Sequence, residues 1–525
     1  MSQFDRPIQT PLPQESAIGT KIIRNTASGA LRLVVLAPIP FLLTPFLLRH
    51  IGTSGFGIWA VLLSFNGLTA LADFGVMGTL TKHVSEHHTH GDYVNLNRVI
   101  NAGISMFSII ALVGVLTVNA ATGFLISIFF RQSVLPVLQI QHAIRLLSLA
   151  IAMNLLAFPF ASVIAGLQRL DLTNLLWGLN ALITAVAAVV FIELGRGIPG
   201  LVDAIVLTSV IVFLLNVILT WRLLPQLRIH PGHVRLADIK ALSVFSLKVY
   251  VVQMASIVYF HTEKLLLAHF AGPTPVGWYE IANDLALKLR NAPALLMTPL
   301  LPAAAELEAR GDEARTSELY YRAHKYLAFM GVALFAVVAL LAHRFVELWL
   351  GPGFSATARA LIVLTGVQIA NLAAGPALFI LIGRGTLGPA VRFALVGMFG
   401  TLILSSTLIS RWGFTGALYG TGVSVLGAAA YLVLMFHEET GFSKRRLLAI
   451  YVRPVFCGLC VVTLIANLIS VGQFRWPGII ITALAVGILY IAGLLLSRYF
   501  DAFDLRILER FLPVPKMLRR GWLFR

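Results

Sequence analysis

The chain carries fourteen apolar runs, each long enough to cross a lipid bilayer as a helix. A spanning helix needs about 20 mostly apolar residues, because the hydrocarbon core offers no water to backbone polar groups. Little of the chain remains outside these runs, so no large extramembrane domain is expected. The runs lie near 28–48, 56–80, 99–127, 140–166, 172–194, 201–221, 243–269, 277–303, 324–346, 356–382, 388–409, 413–436, 450–470 and 477–497.

The composition excludes a soluble fold. Of the 525 residues, 58% are hydrophobic and only 12% are charged, whereas soluble proteins carry about 25% charged residues. Disorder is excluded as well, because disordered chains have low hydrophobicity. The sequence therefore predicts an all-α polytopic membrane protein with about fourteen transmembrane helices.

The excess of positive charge predicts the orientation in the membrane. The formal net charge is +17, and 28 of the Lys and Arg residues fall on the side of the N-terminus while six fall in the opposite loops. Basic residues concentrate in cytoplasmic loops, so both termini are predicted to be cytoplasmic. Residues 498–525 alternate apolar and charged positions at helical spacing, which predicts an interfacial helix; a solvated polar tail is the alternative.

Two stretches about 220 residues apart resemble each other. LLRHIGTSGFGIWAVL begins at Leu47, and LLAHFAGPTPVGWYEI begins at Leu266. Six spans separate them, so both copies enter the membrane in the same direction, as in a parallel repeat about an axis along the membrane normal. Chance similarity between apolar helices is the alternative. The paired positions are Gly52 with Gly272, Gly57 with Gly277, Leu80 with Leu300, and Glu86 with Glu306.

The repeat predicts two pseudo-symmetric six-helix lobes followed by a C-terminal pair of helices. The predicted parts are a cytoplasmic N-terminal segment 1–27, an N-lobe 28–224 with spans one to six, a C-lobe 225–440 with spans seven to twelve, a span pair 441–497 and a cytoplasmic tail 498–525.

The eighth apolar run contains an unusual number of charged groups. Glu280, Asp284, Lys288 and Asn291 recur at steps of four, four and three, which places them on one helix face, whereas Arg290 falls outside this stripe. Charged groups inside a span usually face a wet cavity or a neighbouring helix. The functional interpretation is the wall of an aqueous cavity for a polar substrate. The structural interpretation is an i,i+4 ladder, with Asp284 and Lys288 neutralising each other.

Other polar groups in spans complete the candidate substrate-binding set. Glu263 and Lys264 are adjacent in span seven, so at least one of them must face a neighbouring helix. Asn66 and Asp73 are seven residues apart in span two, which predicts a shared face. Basic groups in a cavity suit a phosphate-bearing substrate, although residues near span ends also snorkel to the interface. The basic candidates near span ends are Arg32 and Lys248.

No nucleotide-binding loop, dinucleotide fingerprint or zinc-protease motif is present. The histidines of the SEHHTHGD loop lack a fixed frame, so we predict no metal site and no cofactor. We expect a protein that is not an enzyme and that draws on an ion gradient, the membrane potential or the gradient of its substrate.

Two segments resemble Wzx-type polysaccharide flippases of the MOP superfamily, which also contains the lipid II flippase MurJ and the MATE exporters. One segment is GFGIWAVLLSFNGLTALADFGVMGTLTKHVSE, from Gly55 to Glu86, and the other is TEKLLLAHFAGPTPVGWYEIANDLALKLR, from Thr262 to Arg290. This chain has Glu263 where the family usually has aspartate and Trp278 where it usually has tyrosine. Both changes conserve the chemical class of the side chain.

The resemblance implies two six-helix bundles around a cationic cavity. It also implies alternating access that carries undecaprenyl-diphosphate-linked oligosaccharide across the bacterial inner membrane for exopolysaccharide, capsule or O-antigen assembly. The implied partners are this substrate, membrane lipids and polysaccharide polymerase and export machinery, with no nucleic acid. MurJ shares the extra helix pair, which is thought to form a lipid-tail groove.

Two other functions stay open at this stage. An ion-coupled exporter of organic cations predicts a cavity dominated by acidic residues, whereas basic residues at least match acidic ones here. A membrane polymerase or ligase predicts a long periplasmic loop, and the spacing of the apolar runs leaves no room for one.

Overall fold

The computed structural model describes residues 36, 38–67, 73, 76–230, 254–255, 258, 261–297, 299–468 and 475–504. All regular secondary structure in these ranges is helical. Ten of the described helices are long and apolar enough to cross a membrane. The prediction of an all-α polytopic membrane protein is confirmed.

The chain divides into two compact units, Met1–Gly277 and Trp278–Arg525. The lobe boundaries at residues 224 and 440 stay a prediction. The helices of the first unit are α1 (Pro38–Gly67), α2 (Val76–Thr89), α3 (Tyr93–Phe129), α4 (Val137–Gly166), α5 (Leu170–Glu193), α6 (Gly197–Leu223) and α7, described over 261–271.

The first turn of α8 (Pro273–Ala294) ends the first unit, and the remainder of α8 begins the second. The other helices of the second unit are α9 (Leu300–Ala309), α10 (Glu313–Leu350), α11 (Ser355–Asn371), α12 (Gly375–Gly383), α13 (Leu387–Gly400), α14 (Ser406–Thr440), α15 (Lys444–Leu468) and α16 (Trp476–Leu496). A π-helical segment, Thr401–Ser405, joins α13 to α14.

Two long helical stretches each contain a glycine with a non-helical backbone. Gly52 interrupts α1 with φ 68° and ψ 175°, and Gly413 interrupts α14 with φ 53° and ψ −127°. These φ values fall in a region that L side chains rarely adopt, which is why glycine is used there. Each glycine lies where the sequence predicts the end of one span and the start of the next.

The helices on the two sides of Gly413 pack against each other as a tight hairpin. Gly420 lies against Ser405, Gly400 lies against Ser424, and a Cβ placed on Gly416 would be 2.0 Å from the carbonyl oxygen of Leu408. As one contact position advances along the chain, the other recedes, so the two helices are antiparallel. Small residues allow this close approach of helix backbones within a membrane.

The internal repeat extends further than the sequence comparison indicated. Gly91 and Gly311 both have positive φ, at 68° and 64°. The next residues, Asp92 and Asp312, each accept a hydrogen bond from the backbone N–H three residues later. The helices before them end 220 residues apart, at Thr89 and Ala309. The same helix-capping turn therefore occurs in both copies of the repeat, 220 residues apart.

The glycines Gly57 and Gly277 of the repeat meet in a reciprocal contact within the first unit. A Cβ on Gly57 would lie 1.8 Å from the carbonyl oxygen of Pro273, and one on Gly277 would lie 2.6 Å from the carbonyl oxygen of Thr53. Thr53 and Pro273 are themselves equivalent at the 220-residue offset. Each copy of the motif therefore presents the same surface to the other, as in an isologous interface.

Candidate functional site

Two predicted spans are interrupted at corresponding positions. In span two, Asp73 lies in a turn and α2 begins at Val76. In span eight, α8 ends at Ala294, a short 3₁₀ helix follows, and α9 begins at Leu300. At the 220-residue offset these interruptions overlap. Interrupted helices at equivalent places in two repeats are typical of substrate sites in transporters.

Asp73 lies in the interruption of span two. It is 8% exposed, and its Oδ1 accepts a hydrogen bond from the backbone N–H of Met77 at 2.9 Å. The carboxylate therefore caps α2, where its negative charge suits the helix N-terminus. The expectation that Asn66 and Asp73 share one face of a continuous helix is wrong, because Asp73 lies in a turn.

Three candidate positions fall outside the described residues. They are Arg32, Lys248 and the side chain of Asn66. Most of the predicted interfacial tail, from residue 505 onward, is also outside them. The roles of these groups stay predictions.

Glu263 and Lys264 of α7 are both buried, at 3% and 6% exposed. Both side chains have interaction partners, in agreement with the argument that adjacent charged groups in a span cannot both face lipid. One turn earlier, His261 packs on α1, where a Cβ placed on Gly67 would lie 2.6 Å from its Cε1 atom. His261 was not among the predicted candidates, because it is neither a permanently charged group nor part of an i,i+4 or i,i+7 pattern of polar residues.

The charged stripe of α8 exists and is accessible. Lys288 and Asp284 form an ion pair, with 40% and 46% of their side chains exposed. Asn291 is exposed further along the same face, and Glu280 is half-buried. The ion pair of the structural interpretation is therefore present, and it lies on an exposed face of α8, which the cavity interpretation also requires.

The other side of α8 packs within the second unit. Tyr279 makes a hydrogen bond of 3.0 Å between its hydroxyl and Oγ1 of Thr421. The ring of Trp278 contacts that of Phe414 edge-on, with centroids 5.7 Å apart. Arg290 falls on the Tyr279 side of the helix and is half-buried. The aromatic pair that follows Gly277 therefore has a packing role.

A cavity lies between α4, α5 and α6 in the first unit. Its volume is ≈ 290 Å³, and it reaches Asp73 in the interruption of span two. The amide-bearing residues of this cavity were not predicted from the sequence. Single neutral amides are common in apolar helices, where they form hydrogen bonds with neighbouring helices. These residues are Asn154, Asn180 and Asn216.

The second unit contains an apolar groove, lined by α10, α11 and α15. Its volume is ≈ 340 Å³, and its lining is apolar except for Tyr451. Three glycines in its lining allow close packing of the helices: a Cβ on Gly331, Gly366 or Gly458 would lie 2.7–3.0 Å from a neighbouring side chain. A groove of this chemistry suits a hydrocarbon chain, because it offers a ligand almost no hydrogen-bonding groups.

A basic pocket of ≈ 520 Å³ lies on the same pair of helices, α10 and α15. It adjoins the apolar groove along the chain, because Lys325 lines the pocket and Leu327 lines the groove. Its four basic residues outnumber the acidic Glu318 and Asp501. The basic residues are Arg322, Lys325, Arg446 and Arg453.

Ion pairs hold the segment after α16 against α10. Lys325 contacts Asp501 at 3.2 Å and also pairs with Asp504. Partial burial raises the pKa of Asp501. The hydrogen bond from the Asp504 backbone N–H and the charges of Lys325 and Arg322 outweigh that effect and hold this pKa below its usual value.

The comparisons with known proteins fit this architecture. The family model described as "Polysaccharide biosynthesis protein" matches residues 22–308, more than half of the chain. The chain belongs to this polysaccharide biosynthesis protein family. As a family member it is a multi-pass membrane transporter, which agrees with its ten long apolar helices.

One curated relative is a protein of Shigella flexneri that is named "Putative O-antigen transporter". It is 18% identical over 263 residues, which cover 50% of this chain and 62% of the relative. The match therefore spans less than two thirds of that relative's length.

Solved structures share the fold. The lipid II flippase MurJ, in an inward closed conformation, matches with a TM-score of 0.72 and 13% identity over 91% of this chain and 99% of MurJ. An inward-facing MATE multidrug transporter of the MOP superfamily matches with a TM-score of 0.63 and 15% identity, over 79% of this chain and 98% of the transporter. The resemblance to the MOP superfamily is thereby confirmed at the level of fold.

Proposed function

We propose that this protein is a flippase that moves undecaprenyl-diphosphate-linked oligosaccharide from the cytoplasmic to the periplasmic leaflet of a bacterial inner membrane. Alternating access carries the substrate, and the protein performs no covalent chemistry on it. Both termini face the cytoplasm, as the distribution of basic residues predicts. The product then serves exopolysaccharide, capsule or O-antigen assembly.

The observation that carries the proposal is the apolar groove next to the basic pocket. A lipid-linked oligosaccharide combines a long hydrocarbon chain with a diphosphate. The groove offers the chain an apolar lining. The neighbouring pocket offers the diphosphate four basic side chains, of which three pair with the acidic Glu318, Asp501 and Asp504, and an excess of positive charge is left. Guanidinium groups bind phosphate oxygens through paired hydrogen bonds. The two adjacent surfaces therefore match the two parts of one amphipathic anion.

The charged and amide groups within spans one, two, seven and eight contact the substrate during transport. We assign the cationic groups to the phosphates and the acidic and amide groups to sugar hydroxyls. An accessible ion pair such as Asp284 with Lys288 can exchange its internal partner for a substrate phosphate at small cost, because exposed ion pairs contribute only about 0–1 kcal/mol. The cationic candidates are Arg32, Lys248, Lys264, Lys288 and Arg290; the others are Asn66, Asp73, Glu263, Glu280, Asp284 and Asn291.

An organic-cation exporter is the competing function, because MATE transporters share the fold. A site for organic cations requires an excess of acidic or aromatic groups. The α8 stripe instead carries both signs, and the pocket beside the apolar groove has an excess of basic residues. These observations favour an anionic lipid.

Genetic complementation tests the proposed function. A strain with its own copy of the gene deleted should accumulate lipid-linked oligosaccharide, and the wild-type gene should restore polymer export. We expect Lys288→Ala and Arg290→Ala to reduce export by about tenfold or more, because a charge-assisted contact contributes ~1.5–3 kcal/mol. Export and protein abundance in the membrane are measured together.

Two matched variants control for general charge loss. Lys444 is half-exposed and pairs with Glu438 at 3.6 Å, and Arg310 is exposed and pairs with Glu306. Lys444→Ala and Arg310→Ala should retain export. Wild-type export from both α8 variants would overturn the assignment of this site.

A further inference from the structure

The cavity of the first unit has a mixed lining, in which apolar side chains supply most of the surface and most of the polar groups are uncharged. It lies between α4, α5 and α6, with a volume of ≈ 290 Å³. Its described lining includes no lysine or arginine, and the one acidic group already caps α2. The polar and aromatic residues that matter here are Asp73, Asn154, Thr173, Trp177, Asn180 and Asn216.

Asn216 of α6 has an amide oxygen for which the folded chain provides no hydrogen bond. The residue is only 3% exposed. Its Nδ2 donates a hydrogen bond of 2.8 Å to the carbonyl oxygen of Val212, whereas its Oδ1 has no partner among the described residues. Leaving a buried acceptor unsatisfied costs about 1–3 kcal/mol. Asn216 lines the cavity, so a rotation of its amide group would present this acceptor to a donor group on a bound ligand.

Trp177 of α5 is one of the residues that line the cavity, and 57% of the whole residue is exposed. The lipid-facing side of α5 is marked instead by the exposed Leu175, Leu182 and Val186, which lie roughly opposite Trp177 at 100° per residue. A large aromatic side chain therefore lies on the cavity side of α5, opposite these apolar residues.

We propose that this cavity binds one sugar ring of the transported glycan. Carboxamides and hydroxyls both donate and accept hydrogen bonds, as sugar hydroxyls do. The C–H bonds on one face of a sugar ring are slightly positive and pack on the negative face of an indole. The inference rests on the proposed flippase function and names the part of the substrate that the first unit recognises.

The same features argue against a phosphate or a single cation. A phosphate requires basic groups, which the described lining lacks. A lone cation requires space comparable to one water molecule, about 30 Å³, whereas this cavity is near the lower limit of small-molecule sites, about 300 Å³. The cavity also lies near the α4–α5 loop, which the charge pattern places on the cytoplasmic side, where substrate is loaded.

A binding comparison with two carriers tests the proposal. The full-length protein in nanodiscs is titrated with undecaprenyl diphosphate and with the lipid-linked oligosaccharide extracted from the deletion strain. Wild type should bind the glycan-bearing carrier more tightly. Asn180→Leu and Asn216→Leu should each lower only that affinity, by roughly 3- to 10-fold for each amide removed. Asn216→Leu also removes an unsatisfied amide, so the variant is expected to fold.

The control is Asn119→Leu in α3, where the amide bonds Ser148 and the Val115 carbonyl outside the cavity. It should retain the preference for the glycan. Two results would overturn the sugar site. One is a preference for the glycan-bearing carrier that stays at the wild-type level in the cavity variants. The other is stabilisation of the wild-type protein by NaCl relative to choline chloride that both cavity variants abolish. Equal wild-type affinity for both carriers would overturn the sugar site alone. Binding of neither carrier would overturn the flippase proposal as well.

Discussion

Asp284 and Lys288 form an ion pair on an exposed part of α8, where it can stabilise the helix, bind substrate or do both. An exposed pair at i,i+4 contributes only about 0.3–0.5 kcal/mol to stability. A charged pair within a membrane span needs water or a partner helix around it. Measurements of stability and of transport therefore distinguish a role in helix stability from a role in substrate binding.

The exchanged pair, Asp284→Lys with Lys288→Asp, should keep the ion pair and lose transport. The melting temperature should stay near that of wild type, because attraction is retained and its contribution is small. Export should fall at least as far as in Lys288→Ala, because the cationic group has moved by one turn. The two readouts are a thermal melt in detergent and polymer export. Full export by the exchanged variant would show that the pair only supports the helix.

Asp501 gives the contact between α10 and the segment after α16 a pH dependence. Its pKa is lowered in the folded protein, so the folded state favours the ionised carboxylate. This stabilisation is complete above the unfolded pKa of about 4. It is lost as the pH falls through the lower folded value. Asp501→Asn should therefore melt below wild type at pH 7 and approach it in acid, as measured by thermal unfolding against pH. A constant difference between the two at all pH values would contradict this.

At the scale of elements, apolar runs predicted most helices within a few residues. Span four was predicted as 140–166 and is Val137–Gly166, and span five was predicted as 172–194 and is Leu170–Glu193. The interruption of span two was not predicted, because hydropathy does not reveal that Asp73 caps a new helix. Spans one and seven lie partly outside the described residues.

The candidate site was predictable where it is charged and not where it is neutral. The α8 stripe follows from the cost of charge in a membrane, and its ion pair was expected from i,i+4 spacing. Asn154, Asn180 and Asn216 lie far apart in sequence and converge only through the packing of α4, α5 and α6. Sequence periodicity shows which residues share a helix face, but it does not show which helices meet.

The hairpin at Gly413 should depend on the missing side chain of Gly416. Gly416→Ala would place a Cβ 2.0 Å from the Leu408 carbonyl oxygen, and such overpacking costs about 1–3 kcal/mol. We expect a lower melting temperature and a lower yield. Gly427→Ala in the same helix meets nothing within 4 Å and should be neutral or slightly stabilising, since alanine favours helix. Equal melting of the two variants would refute the close contact.

At the scale of the whole molecule, the duplicated motif gives Gly57 and Gly277 equivalent environments. Residues 53–57 and 273–277, which are equivalent in the two copies of the motif, place equivalent backbone surfaces against each other within the first unit. This arrangement is a property of the duplicated chain and not of either helix alone.

Gly57→Ala and Gly277→Ala should therefore impair the protein to a similar extent. Each introduces a Cβ too close to a carbonyl oxygen of the other motif, and the double variant should cost less than the sum of the two, because both act on one contact. Gly114→Ala, which meets nothing within 4 Å, is the control. The melting temperatures of the three single variants and the double variant are compared with that of wild type. Strongly unequal losses for Gly57→Ala and Gly277→Ala would contradict the claim that the two glycines have equivalent environments.

The central claim, transport of a lipid-linked oligosaccharide, is tested most directly with purified protein in liposomes. The vesicles contain the lipid-linked oligosaccharide from the deletion strain, and a glycosidase added outside reports how much glycan reaches the outer leaflet. Wild-type protein should expose the glycan of the inner leaflet, and Lys288→Ala and Arg290→Ala should leave it protected. Failure of wild type to move the glycan, together with uptake or export of an organic cation such as ethidium by the same vesicles, would contradict the account.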